Sequence, residues 1–465
     1  MVFSSLEFIF IFLPLFILIY GNVPKKFRNL IIFAGSIVFY SYGVLETPLY
    51  IILMFITVLL NFIIGQFIYF YKRGKKAWLI LGEMFNFFWL FLFKYTNFFT
   101  ENINSLFDDL NLPLRNLILP IGISFYTFQN ASYLFDVYRN KTKAETSFIR
   151  YGAYITMFPQ LIAGPIVTYA DVADQLRNRK VNIAKFDEGL KYFTLGLGSK
   201  VIIANQIGNL WTDITNIGFD SISTPLAWMG VFAYSFQIYF DFYGYSLMAI
   251  GLGKLMGFEL PKNFDNPYIS VSMTEFWRRW HITLGSWFRE YVYIPLGGNR
   301  RGSLRTVINL GIVWILTGFW HGASWNFILW GVGLFLIITI EKFLTKKFFD
   351  DHRLIGHIYM ILLIPLSWLI FAVTDLSQIA VYFQKLFPFI AGNPEPIFPH
   401  DYLKYLSIYA KFFVAGIVCS TPLPALLFKK FKKSIVMTII LLAIFWFSVY
   451  CMYIGLNDPF LYWRF

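Results

Sequence analysis

The 465-residue chain has little charge: only 14% of its residues are Asp, Glu, Lys or Arg, whereas 57% are hydrophobic. A soluble protein of this length needs a far more charged surface to stay in water. The composition therefore excludes an ordinary soluble enzyme and a disordered chain. The apolar runs are continuous rather than alternating, which argues against a β-barrel. The sequence predicts an all-α polytopic integral membrane protein.

Cysteine is equally scarce. The two cysteines, Cys419 and Cys451, both lie in apolar runs. They form neither a disulfide framework nor the spaced pairs of a zinc site. A disulfide-rich secreted fold is therefore excluded, no metal is expected, and we interpret both thiols as small buried hydrophobes.

Basic residues outnumber acidic ones, and the net charge is +13. In a soluble domain this excess would suggest nucleic acid, but here the cations lie in short loops between apolar runs and no nucleic-acid motif accompanies them. Such loops are typical of the cytoplasmic side of a membrane protein and are attracted to anionic headgroups. We therefore expect these basic residues to contact the lipid bilayer and not a nucleic acid.

The apolar runs give the number of membrane elements, because a spanning helix needs about 20 apolar residues. Clear runs and shorter or interrupted ones together predict roughly eleven to thirteen membrane elements in one integral membrane domain, 1–465. The clear runs are approximately 5–21, 29–43, 48–71, 77–98, 224–250, 355–374, 405–428 and 434–455, and the others 116–137, 150–168, 190–210 and 306–341.

Basic clusters predict the orientation. Clusters at 25–28, 72–76, 139–143 and 429–433 each lie next to an apolar run, and we place all of them in the cytoplasm. The acidic segment 101–109 and both termini then fall outside the cytoplasm. Localisation in a bacterial inner (plasma) membrane follows from the family resemblance described below.

The segment 276–301 reads FWRRWHITLGSWFREYVYIPLGGNRR and is aromatic and strongly basic. One interpretation is an amphipathic helix at the cytoplasmic interface. The other is a pocket for an anionic cytosolic substrate, because arginine pairs with phosphate and aromatic rings stack on nucleotide bases. Pro295, Gly297 and Gly298 are expected to end the helix and turn the chain. The candidate donor-binding residues are Arg278, Arg279, Trp280, Arg289 and Arg300.

The apolar stretch 306–341 would be about 54 Å long as one straight helix, which is too long for one crossing. Cations flank both ends, so we predict a hairpin that starts and returns on the cytoplasmic side, with its bend near Gly318–Ser324, deep in the membrane. His321 lies at this bend. An intramembrane histidine is either a structural hydrogen-bonding residue or a general base that deprotonates a hydroxyl acceptor.

Three weaker features remain open. His281 either supports the site, binds the donor or is an interfacial histidine. Asp241, the one charge in an apolar run, is a proton relay, orients a histidine or pairs with an arginine. The glycines of GLGSK (196–200) have no phosphate-loop context.

Several blocks resemble the membrane-bound O-acyltransferases, and among them the alginate O-acetylase-like branch. The resemblance runs nearly from end to end, and the block with residues 263–300 is the most specific. The blocks are LPIGISFYTFQNASYLFDVYR (119–139), FPQLIAGPI (158–166), QIYFDFYGYSLMAIGLGKLMGF (237–258), NFDNPYISVSMTEFWRRWHITLGSWFREYVYIPLGGNR (263–300) and LTGFWHGASWNFILWG (316–331).

This resemblance implies a helical bundle around a transmembrane funnel. It implies an acyltransferase that moves an acyl group, typically acetyl, from a cytosolic thioester donor such as acetyl-CoA or an acyl carrier. The acceptor would be an extracytoplasmic polysaccharide (an alginate-like exopolysaccharide, cellulose or peptidoglycan), reached with an extracytoplasmic partner protein. His321 would be the catalytic histidine and His281 the second motif histidine, with no bound cofactor.

The chain departs from the resemblance at Tyr243 and Leu247, where relatives carry Ser and Asp, and it has no histidine shortly after Gly331. Its last residues, PFLYWRF, resemble the aromatic ending of the branch. Tyr462 in that ending is either a covalent acceptor that relays the acyl group or an aromatic interface anchor.

Other functions stay open at this point. The nearest is D-alanyl transfer to teichoic acids from a carrier-protein thioester. A different class is a proton-coupled transporter or flippase that uses Asp241 and His321 as a relay. A non-catalytic membrane scaffold is the third.

Overall fold

The computed structural model describes residues 2–71, 73–107, 110–162, 164–390, 392, 395–455 and 461. Every regular element within these ranges is helical, and seven helices among them are long and apolar enough to cross a membrane. These are Leu49–Phe70, Lys75–Lys94, Ser303–His321, Trp325–Asp351, Arg353–Ala372, Asp401–Ser420 and Ile435–Tyr453. The predicted all-α polytopic class is confirmed, and the remaining predicted elements are shorter, less apolar or interrupted helices.

The chain divides into two compact units, and the prediction of one domain over 1–465 stays a prediction. The first unit comprises Met1–Phe193 and Ser246–Lys262. Its centre is a cluster of phenylalanine rings, in which Phe158 lies 5.1–5.5 Å from Phe12, Phe16 and Phe39. Its helices are α1 (Leu13–Asn22), α2 (Arg28–Gly43), α3 (Leu49–Phe70), α4 (Lys75–Lys94), α5 (Thr96–Leu106), α6 (Ile123–Tyr138), α7 (Phe148–Thr156), α8 (Phe158–Leu161) and α9 (Tyr169–Asn178).

Two long helices contribute residues to both units, namely α10 (Ile183–Gly198) and α12 (Thr224–Met256). The second unit comprises Thr194–Tyr245 and Asn263–Phe465. Its other helices are α11 (Asn205–Ile217), α13 (Met273–Arg279), α14 (Ile282–Phe288), α15 (Ser303–His321), α16 (Trp325–Ile340), α17 (Lys346–Asp351), α18 (Arg353–Ala372), α19 (Leu376–Leu386), α20 (Asp401–Ser420), α21 (Leu423–Phe431) and α22 (Ile435–Tyr453).

Helices α15 and α16 form the predicted hairpin. Their backbones approach closely at Gly318 and Gly331: a Cβ atom added to Gly318 would lie 2.3 Å from the Phe327 carbonyl oxygen. The turn between them spans Gly322–Ser324. The two arms are Ser303–His321 and Trp325–Asp351, the second of which contains α16. Each arm is long enough to cross a membrane by itself. The depth of the bend in the membrane and the cytoplasmic side of both ends stay predictions.

The basic aromatic segment 276–301 is not one amphipathic helix. It divides into α13, α14 and a π-helix at Arg289–Tyr293, and the break falls at Trp280 and His281. The strand-like segment starting at Asn263 causes the break, because it exchanges backbone hydrogen bonds there: Ile282 N–H donates to the Asn263 carbonyl at 2.9 Å. The chain then turns at Gly297 and Gly298, both with positive φ, as predicted.

Candidate active site

A cavity of about 970 Å³ lies in the second unit, walled by α13, α14, the Arg289–Tyr293 π-helix and the α15–α16 hairpin. Both candidate histidines, His281 and His321, line it. We call it the histidine cavity. It also gathers four of the five predicted donor-binding residues: Arg278, Trp280, Arg289 and Arg300.

His321 is the last residue of α15 and is 6% exposed. Three aromatic rings hold its imidazole edge to face, those of Trp320, Trp330 and Phe371, with centroids 5.0–5.3 Å away. Asn326 helps to hold Phe371, because its Nδ2 donates a hydrogen bond to the Phe371 carbonyl oxygen at 3.1 Å. The imidazole is therefore confined to one orientation at the inner end of the cavity.

His281 lies at the break between α13 and α14 with φ +42°, a left-handed conformation that is uncommon for histidine. Its Nδ1 lies 3.1 Å from Asn263 Oδ1. Thr283 also donates to that oxygen through its backbone N–H and its hydroxyl, so Oδ1 is an acceptor and Nδ1 carries the proton. The lone pair of the ring is then on Nε2.

Electrostatics keeps His281 uncharged. The residue lies outside the seven candidate spans but is 2% exposed, and burial lowers its pKa to about 3. A histidine in this state is neutral and only weakly basic at physiological pH, so its Nε2 can accept a hydrogen bond but does not hold a proton.

Trp277 lines the same cavity. Its ring packs against Trp314 and Trp330, at centroid distances of 5.2 and 5.4 Å. Its Nε1 atom is buried and has no hydrogen-bond partner among the described residues. A buried donor of this kind is unfavourable unless a ligand supplies the acceptor.

Cations surround the opening of the cavity. The arginines and the lysine that line it are all exposed, and none of the described lining residues is a carboxylate. Such an opening attracts a polyanion by its summed field. These cations are Arg278, Arg289, Arg300, Arg301 and Lys342.

Two predicted residues lie elsewhere or serve another contact. Arg279 is not among the lining residues; its guanidinium pairs with Glu275 at 2.9 Å and reaches the carboxylate of Asp265 at 3.6 Å. Trp280 lines the cavity but is 3% exposed, with its ring packed on Trp368 at 4.8 Å. Tyr462 lies outside the described residues.

The sequence did not predict that Arg301 and Lys342 would bind the acyl donor. It also did not indicate a role for Asn263 or Trp277. Arg301 ends the basic segment, and Lys342 follows the hairpin, so proximity to the other cations was the available signal. Asn263 and Trp277 both belong to the most specific block. Nothing in their spacing indicated that Asn263 would accept a hydrogen bond from His281 Nδ1, or that the Trp277 N–H would be buried without a partner.

Among the residues that the structure describes, Asp241 pairs with a lysine. Lys200 Nζ lies 2.6 Å from Asp241 Oδ1, and both side chains are buried. The lysine comes from GLGSK, so this glycine motif belongs to a helix contact and not to a phosphate loop.

Comparison with known proteins shows the family of this chain. The profile of the MBOAT, membrane-bound O-acyltransferase family, matches residues 37–383. The probable alginate O-acetylase AlgI of Pseudomonas aeruginosa is 39% identical over 398 residues, which covers 84% of this chain and 75% of that protein. The peptidoglycan O-acetyltransferase of Helicobacter pylori is 35% identical over 419 residues, covering 81% and 78%.

The chain belongs to the membrane-bound O-acyltransferase family. It is therefore an acyltransferase and a multi-pass membrane protein, which confirms both predictions. A more distant match is the teichoic acid D-alanyltransferase of Streptococcus thermophilus, 29% identical over 256 residues, or 50% of this chain and 59% of that protein. The histidine cavity lies within the two blocks, 263–300 and 316–331, that carried the resemblance, apart from Arg301, Lys342 and a few residues of α15 and α16.

As an O-acyltransferase the chain requires an acyl donor. The cavity combines the three features such a reaction needs. It has a buried neutral imidazole, an unpartnered indole N–H and a cationic opening. Imidazole can accept a hydroxyl proton, a buried N–H can stabilise charge on a carbonyl oxygen, and the cations can hold phosphates.

Proposed function

We propose that this O-acyltransferase moves an acetyl group from acetyl-CoA to a hydroxyl group of an extracytoplasmic polysaccharide, together with an extracytoplasmic partner protein. The enzyme would lie in the bacterial inner membrane with both termini outside. One observation carries the proposal: a single cavity holds two buried histidines at its inner end and five exposed cations at its opening. The relatives named for alginate and peptidoglycan O-acetylation support the substrate class.

The donor enters through the cationic opening. Coenzyme A carries a diphosphate and a further phosphate, and guanidinium groups bind phosphate oxygens in a bidentate way. Arg278, Arg289 and Arg300 fit this role, and Arg301 and Lys342 extend the same surface. Arg279 has acidic partners of its own, so its contribution is to hold α13 in place.

The reaction is a transfer between two nucleophiles. His321 accepts the proton of the acceptor hydroxyl, whose oxygen attacks the thioester carbonyl carbon. The carbon–sulfur bond then breaks, and the proton passes from the imidazolium to the departing thiolate, which leaves as coenzyme A. Trp277 donates its indole N–H to the carbonyl oxygen while negative charge develops there. His281, neutral and held by Asn263, supports the site as a hydrogen-bond acceptor rather than as a base.

The first acceptor is Tyr462, a group of the partner protein or the glycan itself. A tyrosyl ester is an activated acyl donor, so a relay through Tyr462 is chemically sound. The topology predicted from the basic clusters places this residue on the extracytoplasmic side, where a partner could take over the acetyl group.

Turnover of labelled acetyl-CoA tests the proposal. The full-length protein in detergent would receive acetyl-CoA labelled in the acetyl group, and release of coenzyme A and label on protein would be followed together. We expect His321→Ala to lower both by roughly 10²- to 10⁴-fold. His352→Ala is the matched control, because His352 is exposed and does not line the cavity.

Three results would overturn the proposal. Equal turnover in His321→Ala and wild type would remove the general base. A folded wild type that is inactive with acetyl-CoA but active with an alanyl carrier protein would replace acetyl transfer by D-alanyl transfer. Substrate flux across vesicles without a covalent acyl product would point instead to a transporter.

A further inference from the structure

A buried glutamate lies behind one wall of the histidine cavity. Glu341 follows α16 and begins the π-helix Glu341–Thr345, a distortion often found at functional sites. The residue is 2% exposed. Ile338 and Lys342, three residues before it and one after it, line the cavity. A carboxylate in this position is costly to remove from water, so its partners indicate what it does.

All the partners that the structure describes for this carboxylate are hydrogen-bond donors. Oε1 accepts the backbone N–H of Met273 at 2.6 Å. Oε2 accepts both the backbone N–H and the hydroxyl of Thr274, each at 2.7 Å. The hydroxyl of Tyr359 on α18 also donates to Oε1, at 3.2 Å. N–H and O–H groups therefore hold the charge of Glu341 in place.

Two of these donors belong to the first turn of α13. A helix leaves its first N–H groups without partners inside the helix. Met273 and Thr274 are the first two residues of α13, and Glu341 satisfies both of their N–H groups from outside. The third N–H, that of Glu275, donates to Ser272 Oγ at 3.1 Å. Glu341 thus joins the beginning of α13 to the end of α16, across 67 positions of sequence.

The face of α13 that Glu341 holds is the face that lines the cavity. Thr274, Trp277 and Arg278 are all lining residues, and residues three and four positions apart share one face of a helix. Thr274, which contacts Glu341 directly, is therefore about one turn from both other residues. A shift of the first turn of α13 would move the Trp277 indole and the Arg278 guanidinium in the cavity wall.

We propose that Glu341 is a positioning residue that clamps the first turn of α13 to α16 and thereby fixes Trp277 in the wall of the histidine cavity for acyl transfer. The part of this inference that concerns transfer rests on the proposed function, in which Trp277 donates to the carbonyl oxygen. The part that concerns the clamp rests only on the contacts of Glu341 with Met273 and Thr274. Glu341 itself does not line the cavity and takes no part in the bond-making steps.

Three variants separate the clamp from other contacts of the same carboxylate. Glu341→Gln keeps the size and one acceptor oxygen, but its NH₂ group cannot accept, so one N–H group of α13 loses its partner. Thr274→Val removes only the hydroxyl donor. Tyr359→Phe is the matched control, because it removes a hydrogen bond to the same carboxylate from α18, which contributes no described residue to the cavity lining.

Hydrogen exchange of residues 270–280 in the full-length protein is the first readout. We expect Glu341→Gln to speed exchange of the first-turn N–H groups of α13 roughly 10- to 100-fold, because a hydrogen bond to a charged acceptor is lost. Tyr359→Phe should leave this exchange unchanged. Exchange in α22 serves as the internal reference for global opening. Equal exchange of α13 in the two variants would overturn the clamp.

A double-mutant cycle on kcat for coenzyme A release is the second readout. A loss of folded protein lowers kcat by the same factor in any background, whereas an effect transmitted through Trp277 requires its indole N–H. We expect Glu341→Gln to lower kcat about 10-fold in wild type but less than about 2-fold in Trp277→Phe. Equal factors in the two backgrounds would overturn the positioning role.

Thr274→Val keeps the test decisive if Glu341→Gln does not fold. This variant retains the carboxylate and both N–H groups of α13, and loses one hydroxyl donor. We expect it to lower kcat about 3-fold in wild type and to have no effect in Trp277→Phe. The same fall in both backgrounds would again overturn the positioning role.

The two readouts also separate this inference from the proposed function. If wild type shows no His321-dependent release of coenzyme A, the proposed function fails, and the exchange of α13 alone decides the clamp. If turnover depends on His321 but Trp277→Phe has the kcat of wild type, the positioning role is overturned, and the proposed general base is not.

Discussion

The opening and the inner end of the histidine cavity use opposite physical strategies. At the opening, exposed arginines and a lysine keep their charge in water and carry few fixed contacts. At the inner end, His281 and His321 are buried, held by an amide oxygen and by aromatic rings, and His281 is kept neutral. The difference supports the proposal that binding and chemistry are separated along one cavity.

This separation has a physical reason. A screened cation at an opening attracts an anion from a distance and tolerates imprecise placement. A proton acceptor must be uncharged and positioned to within a fraction of an ångström of its target. Substitutions at the two ends should therefore change different kinetic constants, and the predictions below test that difference from the largest effect to the smallest.

Removing the indole N–H should have the largest effect on the chemical step. We expect Trp277→Phe to lower kcat about 100-fold with little change in the KM for acetyl-CoA, as for loss of a donor to a developing oxyanion. Steady-state release of coenzyme A measures both constants. Trp287→Phe is the control, because Trp287 is buried but does not line the cavity. A similar kcat in both variants would assign Trp277 to packing.

Replacing the second histidine should lower kcat by about 10- to 100-fold. His281→Asn is the suitable change, because asparagine tolerates the left-handed backbone at φ +42°. Asn263→Ala should reproduce part of the effect by freeing the imidazole to change tautomer. If His281→Asn instead raises the KM with kcat unchanged, His281 belongs functionally to the opening, and the proposed division of the cavity is wrong.

Removing two cations from the opening should weaken donor binding. We expect Arg289→Gln with Arg300→Gln to raise the KM for acetyl-CoA about 10-fold with kcat preserved, and to reduce its dependence on salt. Arg353→Gln provides the control, since this arginine is exposed outside the cavity. A fall in kcat without a change in KM would contradict a binding role.

The smallest effect concerns stability against acid. The pKa of His281 is about 3 in the folded protein, below the ordinary value of 6.5. Between these values the unfolded chain binds the extra proton, so folding stability contributed by the neutral ring falls as pH decreases from 6.5. At pH 5 the difference is at most roughly 2 kcal/mol. Melting temperatures in detergent at pH 7.5 and 5 should therefore fall more for wild type than for His281→Asn, and parallel shifts would contradict the burial of a neutral imidazole.

Much of the fold could be predicted, because bilayer thickness and composition constrain it directly. The hairpin in 306–341 followed from a stretch too long for one crossing with cations at both ends, and the turn at Gly297 and Gly298 followed from its residues. The division of 276–301 into α13, α14 and the Arg289–Tyr293 π-helix could not be predicted from the sequence. It depends on the backbone of Asn263 meeting Ile282 from outside the segment.

In the candidate site, too, the sequence predicted some features and only packing decided the others. The basic aromatic segment and the two histidines were evident from residue types, and the structure places both histidines in one cavity. Arg278 and Arg279 are neighbours in sequence, yet one lines the cavity and the other pairs with Glu275. Successive residues on a helix point about 100° apart, so only the packing of α13 decides between them.

By itself, the sequence determined that the chain is a polytopic helical membrane protein of this family and which segments carry its charge and its histidines. Those properties depend on composition, run length and local motif, which require no knowledge of neighbours. The tertiary structure alone decided the tautomer of His281, the burial of the Trp277 N–H without a partner and the contacts of Asp241. Each of these depends on groups distant in sequence, such as Lys200 and Leu461, that only packing brings within hydrogen-bond distance.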